Sequence, residues 1–334
     1  MILSLGLAVL AALCAFVMGY ALNQGTTCAV VAARQVLDER RPTMLLGFGV
    51  AAAAAGLVWL PLAWMTNGAV TLTPEHTVGG GLMLGSVLLG LGTVMNRACL
   101  MGSISRIGDG RLSYLGLPVG LAAGFVLGDR LGLSAPGAQE NMLGRPSGIG
   151  LLVLVVFGVL AWLGWWGMRR LGDAGGEDRW SWRTAMVVLG VSGAVLFAVA
   201  PGWTLADAIR LAVPGGVMSV MAAGALGLLM FAILSGGAIV SGIRRRSFTL
   251  RPPRPVAFSR SVLGGAVMAL GANLVPGGND TLLLAALPGA TVAGLVAYIV
   301  MSATVFALLF AGRGVRHART QAALRSPPGP PPVS

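Results

Sequence analysis

Three polar breaks interrupt an otherwise apolar chain; two of them carry a thiol and the third a carboxylate. The first is Asn23-Gln24-Gly25-Thr26-Thr27-Cys28, between apolar runs that end at Leu22 and resume at Ala29. Polar backbone among membrane spans is tolerated only where protein or a water-filled cavity covers it. The segment therefore reads either as an interfacial loop around an inert buried cysteine or as a short re-entrant piece carrying Cys28 into a pathway. The second break, Met95-Asn96-Arg97-Ala98-Cys99, sets a cation two residues from a thiol. A guanidinium inside a bundle costs about 2.5 to 3.5 kcal/mol on insertion scales, so Arg97 either holds an anion or reaches interfacial water. Beside it, Cys99 is either a reactive thiol or, as is commoner for cysteine, a small buried apolar residue. The third break, Pro276-Gly277-Gly278-Asn279-Asp280, ends one helix and offers Asn279 or Asp280 as the cap of the next. Free N–H groups at such a helix start favour anions, and Asp280 serves either there or only as a cap in an outside loop.

Other chemistries are excluded or lack their residues. The chain contains no lysine, so a P-loop cannot form and an ATP-driven pump is ruled out. Its two histidines, His76 and His317, sit in a loop and in the tail, where they build neither a metal cluster nor a catalytic triad. No cofactor, no metal and no enzymatic activity are expected. The cysteines Cys14, Cys28 and Cys99 lie in or beside apolar segments, so no structural disulfide is expected either.

The elements that must position these breaks follow from composition. Of 334 residues, 56% are hydrophobic and 10% charged, and the mean hydropathy is +0.83, whereas soluble domains carry about 25% charged residues. The solvent is therefore lipid. Apolar runs centre on residues 2–22, 43–65, 79–96, 113–128, 148–168, 184–201, 212–241, 257–275 and 291–311, which predicts nine helical spans and no β-barrel alternation. All 23 basic residues are arginine, and loops on one side of that topology hold 20 of them against 3 on the other. The positive-inside rule then sets the N-terminus outside and the C-terminus in the cytoplasm, with Met1 to Leu22 a retained first span. The net charge of +12 is topology information and does not call for nucleic acid. The 51 glycines suit close helix packing and broken helices.

A weak internal repeat divides the chain. The run GGGLMLGSVLLGLGTVMNRACLMG (79–102) resembles GGAVMALGANLVPGGNDTLLL (264–284) in its glycines, its break and its return to apolar residues. Paired broken spans frame sites near the bilayer midplane, although composition alone also produces such likeness. The expectation is one transmembrane domain over 1–315, with halves of about 1–172 and 184–315, a polar linker at 173–183 and a disordered cytoplasmic tail at 316–334.

Three runs, GYALNQGTTCAVVAARQVLDERR (19–41), GLGTVMNRACLMGSISRIGDGRLSYLG (90–116) and GGAVMALGANLVPGGNDTLLLAALPG (264–289), resemble the YeeE/YedE family of bacterial inner-membrane proteins, whose best understood members are thiosulfate transporters. The resemblance implies an all-α polytopic fold of about nine transmembrane helices plus short re-entrant helices, in pseudo-twofold inverted halves, with the sulfur site at an hourglass waist. It further implies uptake of thiosulfate or a related small sulfur-containing anion past cysteines that pass it along by weak S–H hydrogen bonds. Cys28 and Cys99 match two of those cysteines; where a third is expected, this chain has Gly277-Gly278-Asn279-Asp280. Gln24, Thr27, Asn96 and Arg97 flank the two thiols and complete the candidate substrate-binding set, with Arg97 at the cytoplasmic mouth. Two other readings stand beside transport. In one, Cys99 forms a persulfide and hands it to a cytoplasmic sulfurtransferase-type protein; in the other, the chain is a membrane scaffold.

The arginine asymmetry makes a direct prediction. Alkaline phosphatase fused within residues 66–78 is expected to be active, and the same enzyme fused after the last span inactive.

Overall fold

A computed structural model describes residues 2–135, 137–172, 178–212 and 218–325. The first part of the expected linker, 173–177, and the end of the expected tail, 326–334, lie outside the described residues. Among those described, nine helices are long and apolar enough to cross a membrane, the number the apolar runs predict. The chain is an all-α polytopic membrane protein.

A break follows four of the long helices, and a short helix follows each break. Helix α1 (Ile2–Gln24) leads to α2 (Ala29–Arg34), whose last turn widens into a π-helical turn at Gln35–Glu39. After α3 (Thr43–Met65), α4 (Gly80–Asn96) leads to α5 (Leu100–Gly108), and α6 (Gly116–Arg130) and α7 (Gly148–Arg170) complete the first part of the chain. Helix α8 (Trp182–Val199) leads to α9 (Leu205–Ala212), and α10 (Met218–Arg244) follows. Helix α11 (Pro255–Leu274) leads to α12 (Asn279–Thr281), which like α2 runs on into a π-helical turn, here Leu282–Ala286. The last helix, α13, covers Val292–Arg325 and so includes residues 316–325 of the expected tail. The span expected at 212–241 falls chiefly on α10, and α9 precedes it as a separate helix that hydropathy alone did not distinguish.

Apolar side chains face outward as well as inward, as lipid demands and water forbids. Helix α7 packs against α3 and leaves Ile149, Leu152, Val155 and Trp162 more than 60% exposed. Inside the bundle, small residues bring backbones together, which is how helices associate where hydrophobic burial gives no advantage. Helix α11 lies against both α4 and α6. A Cβ at Gly92 would sit 2.6 Å from the Gly264 carbonyl oxygen, one at Gly271 2.5 Å from that of Gly85, and one at Gly116 2.8 Å from that of Phe258. Between helices, loop polar groups fasten the ends. The Glu75 carboxylate accepts from the N–H groups of Val292 and Ala293, both at 2.9 Å, and so caps the start of α13. Asn141 donates to the carbonyls of Thr73 and Gly289 at 3.0 and 2.9 Å.

Adding a side chain at these contacts should overpack the bundle. Gly92→Val is expected to lower the melting temperature of the detergent-solubilised protein, in line with a loss of about 1 to 3 kcal/mol. Gly80→Val, where nothing lies within 4 Å of a new Cβ, is expected to shift it far less.

Candidate functional site

Cys28 and Cys99 each stand at the residue before a short helix. Cys28 precedes α2 in extended backbone (φ −157°, ψ 127°), and Cys99 precedes α5 (φ −76°, ψ 178°). The Cys99 sulfur accepts from the Gly102 N–H at 3.3 Å, so it caps the helix it precedes. The two thiols face each other closely enough to interact, and both residues are 2% exposed. Gly102 makes the approach possible: a Cβ there would lie 2.5 Å from the Cys28 sulfur. Sequence spacing put the thiols seventy-one residues apart in the chain; only the packing of α2 over the first turn of α5 joins them.

The flanking polar residues hold the break in shape. Asn96, fully buried, donates to the Ala98 carbonyl at 2.8 Å and to the Ser103 hydroxyl at 2.9 Å. Ser103 in turn donates to the Cys99 carbonyl at 2.9 Å, so the loop between α4 and α5 is laced around the thiol. Thr27 is buried beside Cys28. Gln24 turns elsewhere: its side-chain oxygen accepts from the Trp180 N–H at 3.0 Å and helps line an open cavity of about 310 Å³ with Tyr20, Asp178, Arg179 and Arg244. Arg97 is exposed, in left-handed backbone (φ 61°) at the end of α4. It does not join the thiols; its charge acts on Arg260, as does that of Arg106. Arg106 is the cation that also acts on Cys28, and its guanidinium donates to the Tyr114 hydroxyl.

The third break docks onto the second. The sequence offers Asn279 or Asp280 as the cap of α12, but Gly278 stands before that helix and no side chain caps it. The Asn279 side-chain oxygen instead accepts from the Leu100 N–H at 3.3 Å, linking the starts of α12 and α5. Gly278 is packed so tightly that a Cβ would lie 2.8 Å from Leu100 Cδ1 and 2.5 Å from the Asp280 carboxylate. Gly277 adopts φ 114°, a left-handed conformation that glycine accepts without strain. Asp280 is buried, 4% exposed, with its carboxylate accepting from the Thr281 N–H at 3.0 Å. The second and third breaks thus meet inside the bundle. Between them lies a cavity lined by Met18, Leu22, Met101, Ile104, Trp203, Phe231 and Asp280, with space for about one water (10 Å³).

Several contributing residues lie outside the predicted binding set. Asn23 donates to the Ser105 carbonyl at 2.9 Å and the Asp109 carboxylate at 3.1 Å, while Arg245 donates to the Asn23 backbone and side-chain oxygens. Thr204 and Asp207 of the α8–α9 break also belong here; the apolar runs leave a gap at 202–211, but nothing in it pointed to a short helix or a buried carboxylate. No group of three or more metal-ligating side chains occurs among the described residues.

A family model described as Sulphur transport matches residues 24–307, which spans all four breaks. No curated protein matches the chain.

The contact between the thiols is testable in the membrane. Mild oxidation with a permeant reagent is expected to join Cys28 to Cys99, read by peptide mass spectrometry without reduction, and to leave Cys14 free. Gly102→Ala, which forces the Cys28 sulfur away, is expected to suppress that crosslink.

Proposed function

Because the chain belongs to the YeeE/YedE sulphur-transport family, we propose that it takes up thiosulfate or a closely related small sulfur-containing anion across the bacterial inner membrane, past the paired thiols of Cys28 and Cys99. The observation that carries this reading is the pairing of the two buried thiols at the meeting of two helix breaks, with the Cys28 sulfur against Gly102 in the first turn after Cys99. A thiol is a weak donor with a polarisable sulfur, so a pair of them partners a soft anion without trapping it. Transport needs binding favourable enough to enter and weak enough to leave. An anion entering between the sulfurs exchanges one weak S–H contact for two. Met18 and Met101, in the neighbouring cavity, extend that soft lining.

The arginines belong to a different step. Arg97 and Arg106 both act electrostatically on Arg260, and Arg106 and Arg260 meet at Tyr114; three cations so placed attract an anion leaving the thiols. In the orientation the arginine distribution favours, this is the cytoplasmic end, with the N-terminus periplasmic. The chain's two parts, each with two broken helices, then form halves about 1–172 and 184–315. Inward movement of a dianion against an interior-negative potential costs about 4.6 kcal/mol per 100 mV, at about 2.3 per charge, so net uptake requires a driving force besides the anion's own gradient.

A persulfide hand-off from Cys99 to a cytoplasmic sulfurtransferase fits less well. It needs that sulfur to reach solvent, and Cys99 is 2% exposed beneath α2.

Replacing either thiol tests the reading. Cys28→Ala and Cys99→Ala are each expected to reduce radiolabelled thiosulfate uptake into reconstituted vesicles at least tenfold, with unlabelled thiosulfate competing better than sulfate. Uptake at the parental rate in both variants would sink the thiol pathway, and a stable sulfur adduct on Cys99 in the purified protein would favour transfer.

A further inference from the structure

The α8–α9 break repeats the geometry of the α1–α2 break with different atoms. Thr204 precedes α9 as Cys28 precedes α2, and Gly278 precedes α12 as Cys99 precedes α5. Where the first pair of breaks presents two thiols, the second presents two carboxylates. Thr204 donates to the Asp207 carboxylate at 2.7 Å and accepts from the Asp207 N–H at 3.1 Å, and Thr281 donates to the same carboxylate oxygen at 3.2 Å. Asp280 is adjacent in sequence to Thr281, and the Asp207 charge acts on it. We propose that Asp207 and Asp280 form a proton-binding pair whose loading accompanies the anion, so that uptake is coupled to proton entry. This rests on the transport reading above.

The surroundings support a proton more than a second cation. Arg210, on the same helix, is the one cation acting on Asp207 among the described residues. The helices packed against this pair carry their charges in their last turns: Asp129 and Arg130 on α6, Arg244 on α10 and Arg106 on α5. None of them acts on either carboxylate among the described residues. Two neighbouring buried carboxylates with so little compensation do not both ionise readily. Both lie outside the nine membrane-spanning helices. Burial and the Asp207 charge push the Asp280 carboxyl up to about 7, and burial pushes Asp207 upward as well. A carboxyl poised there is protonated on the more acidic side and gives up its proton as pH rises past neutrality.

An independent observation points to a ligand at the same place. Trp203 lines the cavity that Asp280 lines, is 3% exposed, and has its indole N–H buried without an acceptor. A donor orphaned in an otherwise apolar cavity calls for a water or an anion oxygen. That cavity also touches Met101, two residues beyond Cys99, so proton and anion occupy adjoining stations on one route.

Two measurements on the full-length protein decide the matter. In the first, infrared difference spectra of reconstituted protein follow the protonated-carboxyl stretch across neutral pH. A band that titrates near neutrality and disappears in Asp280→Asn supports the pair, and its absence from the parent overturns the proposal whether or not the protein moves thiosulfate. In the second, thiosulfate exchange without a gradient is compared with accumulation under an acid-outside gradient of about one pH unit, where coupling to one proton raises accumulation about tenfold. Accumulation that responds in the parent but not in Asp280→Asn or Asp207→Asn, with both variants monodisperse and thermally intact, supports coupling. Exchange in the parent with accumulation that is indifferent to the gradient overturns coupling and leaves transport standing. Absent exchange defeats the transport reading, and coupling with it.

Discussion

A helix broken among apolar spans exposes N–H and carbonyl groups that lipid cannot satisfy, and the rest of this structure is organised around answering them. Each break is answered by a side chain from another part of the chain or from the loop itself. Asn96 and Ser103 lace the α4–α5 turn. Asn279 reaches across to the start of α5. Arg245 covers the carbonyl of Asn23 at the end of α1, and Gln24 takes the Trp180 N–H. Close glycine contacts between α4, α6 and α11 hold the long helices near enough for these bonds to form.

The same bonds fix what the breaks can present. The groups left over around the breaks are mostly soft or titratable: two thiols, two methionines, an orphan indole N–H and a carboxylate, together with the unpartnered side-chain oxygen of Asn96. Of the formal positive charges near the breaks, the buried Arg245 is taken up by Asn23, and Arg97, Arg106 and Arg260 are exposed or half-buried. A route for an anion gains from this order, because strong cationic binding at the centre would slow release while attraction at the exit does not.

The departure at the third break has a structural counterpart. Where the family resemblance implies a further cysteine, Gly278 is wedged between Leu100, Ala206 and the Asp280 carboxylate. A side chain there would collide with the first turn of α5, so the oxygen chemistry of Asp280, Thr281 and Asp207 is what this position of the fold can offer. The π-helical turns after α2 and α12 widen the backbone on the far side of Cys28 and Gly278, as such turns often do beside functional residues.

Nine spans and an all-helical membrane fold were legible in the residues themselves, since hydropathy over about 20 residues is a local property and lipid enforces it. Cys28, Cys99 and Asp280 also stood out locally, each a polar or reactive anomaly at a break. Their mutual arrangement was not legible. Whether Gln24 and Arg97 face the thiols or the rim depends on helix rotation, and the structure turns both toward the rim. Thr204 and Asp207 escaped notice because an acid four residues past a glycine-tryptophan turn looks like any helix start until α12 is laid against it. Sequence states which groups are too costly to leave in lipid; only tertiary packing, through contacts between residues tens to hundreds of positions apart, decides which of them meet.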